Sequence, residues 1–247
     1  MNTASGEHAR LILKLSSIAP LLQADTDALA GLPLRTRSLR AGEDIVLQGD
    51  SPTECCFVID GLICRYILTS GGGTQIVSFH IPGDLPDRDS LHLPHLDHSI
   101  AAISQARVAF IPHEALQDLA TRFPNIAVAL WRDAVIDAGV FRQWLASLGR
   151  RNAKQRVAHL ICEVFSRMAD LGLADGDHFR FPVTQSQLGD ALGLSSVHIN
   201  RTLQELRAEK LIVWNGPVVT IPSLEDLSEA GEFDPSYLRL KPLSGQQ

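Results

Sequence analysis

Two hydrophobic periods divide the chain. Between residues 35 and 111 apolar and polar positions come in short runs: RTRSL, DIVLQ, ECCFVID, LICRYIL, TQIVSFH, HSIAAIS and ARVAFI. Gly42, Gly49-Asp50, Asp60-Gly61, Gly71-Gly72-Gly73 and Pro82-Gly83 punctuate them. Short strands at this spacing predict an antiparallel barrel or sandwich. Asp60-Gly61 reads as a two-residue hairpin turn, which sets Phe57 opposite Cys64. Beyond residue 112 the period becomes helical. A short helix over 113–122 stops near Phe123-Pro124, where proline breaks the pattern. NIAVALWRDAVIDAGVFRQWLASLGRR then runs for about seven turns at the helical rise. Within it Ile126, Leu130, Asp133, Asp137, Val140 and Trp144 fall at alternating steps of three and four. That spacing predicts a coiled-coil seam between two copies, weakened by its two acids and by Gly139. A further helix spans 152–169, LGLADGD is a loop, and HFRFPV opens a hairpin region. A short helix is expected at 224–230.

Residues 184–221 carry the most chemistry. Thr184 caps a helix, with Gln187 three residues on as the partner of a capping box. Gly193 suits the left-handed turn that ends it, and Ser195 caps a second helix. Leu188, Leu192, Leu194, Ile199, Leu203 and Leu206 are the helically spaced apolar contacts. Ser196, Val197, His198, Asn200 and Arg201 are left at the exposed front of the second helix. Short polar groups with one arginine at that end suit the major groove of DNA. LIVW, Asn215-Gly216 and VVTI then read as a hairpin wing.

A length of 247 residues fits one large or two ordinary domains, and 45% hydrophobic residues suffice for packed cores. The net charge of −6 argues against a nucleic-acid partner until it is divided. Residues 1–149 carry −5, residues 150–222 carry +2 and residues 223–247 carry −3. The only net basic segment holds the paired helices, as a phosphate-facing surface requires. No apolar run reaches the roughly 18 residues of a membrane span. LILKLSSIAPLL is broken by Lys14 and lacks a basic start, so it is not a secretion signal; a cytoplasmic protein is expected.

Cys55, Cys56, Cys64 and Cys162 form no C-x-x-C pair and are expected as reduced, buried thiols. DLPDRDSLHLPHLDH gathers His92, His95 and His98 with Asp84, Asp87, Asp89 and Asp97. Imidazole and carboxylate can hold a metal, and one histidine can ligate haem. Pro86 and Pro94 interrupt any helix that would align them, so no metal ligand is assigned. Glycine-rich phosphate loops, G-x-S-x-G and H-E-x-x-H are all missing, which argues against an enzyme.

The order of β-barrel, long helix and winged helix-turn-helix resembles the cyclic-AMP receptor protein / fumarate-nitrate regulator family of bacterial transcription factors. The resemblance covers about residues 11–222. It is specific in SQLGDALGLSSVHINRTLQELRAEKLI and in AGEDIVLQGD, GLICRYI and FHIPGD. It implies an α+β fold with an N-terminal antiparallel β-roll of the cupin-like, cyclic-nucleotide-binding type over 1–122. A dimerisation helix follows over 123–149, then a DNA-binding domain over 150–222 and a tail over 223–247. It implies a homodimer on a palindromic promoter site, with double-stranded DNA and RNA polymerase as partners. The family's recognition helix commonly bears a glutamate and, four residues on, an arginine. Here these positions hold Val197 and Arg201, with Ser196 and Asn200 as neighbouring base contacts. Thr184, Gln185, Ser186, Ser195 and His198 match phosphate-contacting positions.

The family's cyclic-nucleotide pocket maps to Gly83, Asp84, Leu85, His98 and Ser99. Asp84 replaces its glutamate, and its phosphate-clamping arginine is missing, so cyclic AMP is not the expected effector. An iron–sulfur cluster would need several N-terminal cysteines, and the first here is Cys55. The effector is left unidentified. A competing expectation is a metal-, haem- or small-molecule-sensing module whose main partner is a protein.

Overall fold

The computed structural model describes residues 6–238. Its packing divides into two compact units. One runs to Ile67 and resumes over Phe79–Asp137; the other holds Leu68–Ser78 and, among the described residues, Ala138–Leu238.

The first unit is a β-roll with helices on one face. Its strands are β1 (Arg35–Leu39), β2 (Asp44–Val46), β3 (Glu54–Asp60), β4 (Ile63–Leu68), β6 (Ser99–Ala102) and β7 (Ala106–Pro112), while β5 (Thr74–His80) belongs to it only at Phe79 and His80. They form two antiparallel sheets, ordered β1-β7-β3 and β2-β6-β4-β5. The sequence runs locate all seven strands, but the hairpin expected at Asp60-Gly61 does not form. β3 pairs with β7, Cys55 opposite Ile111 and Val58 opposite Val108. β4 instead pairs with β6, Cys64 opposite Ala101. Gly61 turns the chain from one sheet to the other, and a Cβ there would lie 2.6 Å from the Gln105 carbonyl oxygen.

β3 is buried on both faces because its alternation serves two cores. Cys56 and Val58 join Leu39, Ile63, Ile100 and Val108 inside the roll. Cys55, Phe57 and Ile59 join the helical layer with Ala109, Ile111, Leu116, Leu119 and Ile126. That layer includes α1 (Gly6–Ile18) and α2 (Gln23–Ala30), to which the sequence pattern assigns no helix. Leu11, Leu15 and Ile18 recur at helical spacing and are buried. The Asp25 carboxylate caps α2 through the Leu22 N–H at 2.7 Å and also accepts from Asn125 Nδ2 at 2.9 Å. α3 (His113–Arg122) and α4 (Pro124–Arg150) follow as expected.

The second unit contains α5 (Ala153–Asp170), β8 (His178–Arg180), α6 (Gln185–Leu192), α7 (Ser196–Ala208), β9 (Val213–Asn215), β10 (Val218–Thr220) and α8 (Leu224–Gly231). The strands form a sheet ordered β8-β10-β9. Phe165, Phe179, Phe181 and Trp214 make a ladder of ring contacts with centroids 5.5, 5.9 and 5.8 Å apart. Aromatic area of this kind anchors a small sheet to a helix. The unit boundary inside α4 differs from the boundaries at 122/123 and 149/150 read from the sequence. The short helix expected at 224–230 forms as α8, and beyond 223 Leu227 and Leu238 are fully buried.

Candidate nucleic-acid interface

Local capping builds the two interface helices. Thr184 Oγ1 accepts from the Gln187 N–H at 3.2 Å while Gln187 Oε1 accepts from the Thr184 N–H at 2.9 Å. This reciprocal box satisfies donors that the first helical turn leaves orphaned. Gly193 ends α6 in the left-handed region at φ 63°. Ser195 caps α7 through the His198 N–H at 3.3 Å, and its hydroxyl also meets His198 Nδ1 at 3.2 Å. Gly189 holds the two helices close, since a Cβ there would lie 2.4 Å from the Leu194 carbonyl oxygen. The sequence reading missed this glycine, because a close approach between segments leaves no local signal.

Leu188, Leu192, Ile199, Leu203 and Leu206 are buried and Leu194 is half-buried, so α7 turns one face inward. Ser196, Val197, His198, Asn200 and Arg201 all lie on its exposed face. Val197 is 78% exposed, more than any other large apolar side chain among the described residues. Asn200 Nδ2 donates to Gln185 Oε1 at 3.3 Å, so one phosphate candidate steadies one base candidate. Thr184 and Ser186 are exposed beside them and Gln185 is half-exposed. The wing turns one residue later than expected. Asn215 pairs with Val218, so Gly216-Pro217 is the loop, with Gly216 at φ 57°. Arg207 is no freely solvated charge: its Nη2 donates to the Trp214 carbonyl at 3.2 Å and braces the wing.

The predicted dimer seam needs correction. Ile126, Asp133, Val140 and Trp144 are buried within the chain, and Leu130 and Asp137 are half-buried. Four of the six therefore pack within their own chain. The face of α4 turned to solvent carries Val128, Trp131, Val135, Phe141 and Leu145.

The two seam acids belong to a buried ionic network in the first unit. Arg88 Nη1 pairs with Asp133 Oδ2 at 2.8 Å. Arg88 Nη2 and Arg65 Nη1 each pair with Asp137 Oδ2 at 2.7 Å. Lys14 Nζ lies 2.9 Å from Asp84 Oδ1 and 3.4 Å from Asp133 Oδ1. Burial raises the Asp137 pKa, but Arg65 and Arg88 outweigh it and hold the carboxyl well below the usual carboxylate range. Burial lowers the neighbouring His80 to about 4, so its imidazole is neutral.

The network meets both halves of the expected effector pocket. Asp84 is taken by Lys14 and by the Ile81 N–H at 3.0 Å. Gly83, at φ 104°, lies so close to α1 that a Cβ would sit 2.9 Å from Lys14 Cβ. Leu85 is buried in the helical-layer core. Ser99 Oγ accepts from the Gln48 N–H at 2.9 Å. Asp89, 4.0 Å from Arg65, leads on to His98, whose Nδ1 meets Asp97 at 2.8 Å. Of the seven metal-ligand candidates, only Asp89, Asp97 and His98 come together, with ligand atoms within 4.8 Å. The His98–Asp97 bond and the Arg65 guanidinium 4.0 Å from Asp89 lie within this cluster, while Asp89 Oδ1 and His98 Nε2 have no hydrogen-bond partner.

Asp87 adds a pH response. It is fully buried; Oδ1 accepts from the Cys56 N–H at 2.7 Å, while Oδ2 has no hydrogen-bond partner. Burial pushes its pKa up to about 8, against the opposing effect of that N–H. A carboxyl raised on folding contributes stability that is complete below its unfolded pKa and is lost as pH rises through the folded one. The melting temperature of wild type should therefore fall between about pH 4 and 8 more than that of Asp87→Asn. Parallel curves for the two proteins would show that Asp87 does not titrate in this window.

Comparison with known proteins follows this division of the chain. Residues 36–123 match a family model for the cyclic nucleotide-binding domain, and residues 155–230 match one for the Crp-like helix-turn-helix domain. The fumarate and nitrate reduction regulatory protein of Escherichia coli (strain K12) is 26% identical over 209 residues, 85% of this chain and 83% of the relative. FixK2 from Bradyrhizobium japonicum superposes with a TM-score of 0.71 at 24% identity, covering 81% of this chain and 98% of that one. The c-di-GMP responsive global regulator CLP of Xanthomonas campestris has the same fold, with a TM-score of 0.63 at 15% identity, covering 81% and 99%. A sensor-type roll joined to a winged helix-turn-helix is the architecture of a transcription regulator, not of an enzyme. The two family models and these relatives together support the cyclic-AMP receptor protein / fumarate-nitrate regulator family for this chain. Among the described residues no helix is long and apolar enough to cross a membrane.

Proposed function

We propose that the chain acts as a homodimer that reads a palindromic promoter site through α7. The exposed row of Ser196, Val197, Asn200 and Arg201 beside capped helix N-termini carries this reading. These four side chains face the bases, and Thr184, Gln185, Ser186, Ser195 and His198 face the phosphates. Arg201 takes guanine O6 and N7 as a bidentate donor, worth about 1–3 kcal/mol of discrimination. Val197 cannot accept from cytosine N4 and packs on a thymine methyl instead. Two recognition helices in a dimer reach half-sites about 34 Å apart. RNA polymerase is the protein partner of such a regulator. The first unit does not use the usual cyclic-nucleotide clamp: His98 stands before Ser99 where the clamp has its arginine, and Asp84 is already paired with Lys14.

Selection from random duplex DNA tests the reading. Enrichment of a two-fold palindrome by ligand-free protein is expected. Arg201→Ala should bind roughly 10- to 100-fold more weakly and lose its preference for one guanine per half-site. Val197→Glu should move the adjacent preference from thymine toward cytosine. Variants with unchanged site preference would refute these base contacts. Binding to effector or protein without salt-dependent DNA affinity would favour the sensing-module reading.

A further inference from the structure

The segment after the wing folds back onto the domain that carries α7. α8 and the turn Pro235–Leu238 pack on α5, where Gly231 is so close that a Cβ would lie 2.7 Å from the His159 backbone nitrogen. Gln155 Nε2 and Arg151 Nη2 reach Glu232, at 2.8 Å to its carboxylate and 3.3 Å to its carbonyl. The centre of this contact is Glu163 on α5, which is fully buried. Its carboxylate accepts from Trp144 Nε1 at 3.2 and 3.3 Å and from the Tyr237 hydroxyl at 2.8 Å. The Arg167 guanidinium stands 3.9 Å away. One turn earlier, His159 meets the Gly231 carbonyl and the Tyr237 hydroxyl, each at 3.2 Å. Burial lowers the His159 pKa to about 4. On α4, Gly139 lies under the turn, and a Cβ there would sit 3.3 Å from the Tyr237 carbonyl oxygen.

One carboxylate thus ties the second half of α4, helix α5 and the C-terminal segment together. Burying a carboxylate is costly, and a well-packed apolar group of similar size is often as stable. Net stability alone therefore does not account for a glutamate here. What the carboxylate adds is direction, since its bonds to Trp144 and Tyr237 are made in only one arrangement of the three elements. We propose that Glu163 is a positioning residue for DNA reading. Through Trp144 and Tyr237 it fixes α5, and α7 packed on it, against α4, so that a dimer presents its recognition helices at one separation. This inference rests on the dimeric, palindrome-reading function proposed above. Rigid presentation lets the second half-site bind at high effective concentration, and loosening it forfeits that gain without altering either base contact.

The test measures full-length protein on three duplexes: the selected palindrome, one half-site, and the palindrome lengthened by one central base pair. Wild type should prefer the palindrome to the half-site by about 100-fold or more and should be penalised by the added base pair. Glu163→Leu and Tyr237→Phe should keep half-site affinity within about threefold, lose roughly tenfold or more of the palindrome preference and tolerate the added base pair. Tyr237→Phe removes only a hydroxyl, so it decides the matter if Glu163→Leu fails to fold. If wild type shows no palindrome preference, the dimeric reading fails first. If wild type has the preference and Tyr237→Phe retains it, or loses both affinities equally, Glu163 does not position the helices.

Discussion

Replacing both Trp131 and Leu145 with glutamate is expected to turn the protein into a monomer and to lower its affinity for a palindromic site by about 100-fold or more. These side chains are 72% and 73% exposed, two heptads apart on one face of α4. Val128, Val135 and Phe141 extend the same face. An apolar stripe of this length is rare on a monomer surface, and a second copy of the helix is the partner that would cover it. Each buried tryptophan removes about 150–250 Å² from water, whereas facing glutamates repel. Val140→Glu has a different outcome. Val140 is only 3% exposed inside its own chain, so a charge there damages the fold rather than the interface. Sedimentation velocity separates the two cases. A double variant that is still dimeric at low micromolar concentration would remove this face of α4 from the interface.

The second large effect is expected at Asp137. Asparagine there leaves Arg65 and Arg88, both 2.7 Å from the same carboxylate oxygen, without their shared counter-charge. Removing one partner of a buried ion pair costs about 3–5 kcal/mol. Set against a typical total stability of about 5–15 kcal/mol, Asp137→Asn should shift the urea midpoint markedly. The pH dependence has a definite sign. The folded-state pKa is depressed, so the contribution is complete above the unfolded pKa and is lost as pH falls through the folded value. The gap between wild type and variant should therefore close only under strongly acidic conditions. A variant within about 1 kcal/mol of wild type near neutrality would show that solvent or nearby groups compensate both arginines.

Asp133 and Asp137 also show where the sequence could be read and where it could not. The apolar positions of α4 form two stripes. One, with Ile126, Ala129, Ile136 and Val140, packs inward; the other, with Trp131 and Leu145, faces out. Spacing alone identifies both and does not rank them. The acids favoured the inward stripe, because their partners Lys14, Arg65 and Arg88 lie 45 to 119 residues away in sequence. The caps at Thr184 and Ser195 were legible because their chemistry is local. The seven roll strands were legible from alternation and turn residues. Their partners were not: Gly61 turns the chain between sheets, and nothing within a few residues of it specifies β7 as the neighbour of β3. Glu163 escaped notice for the same reason, as its donors Trp144 and Tyr237 flank it at distances of 19 and 74 residues.

The four cysteines have a practical consequence. All are buried thiols outside any disulfide. Burial pushes Cys55 and Cys56 far above the usual thiol range and Cys162 up to about 12. Thiolate is the reactive form, so alkylating reagents meet these groups only when the surrounding structure opens. Cys55, Cys56 and Cys64 report on the roll, and Cys162 reports on α5 in the other unit. The native chain thus carries its own clocks for local unfolding. Labelling rates followed by peptide mass would time the opening of each unit separately, with no introduced probe.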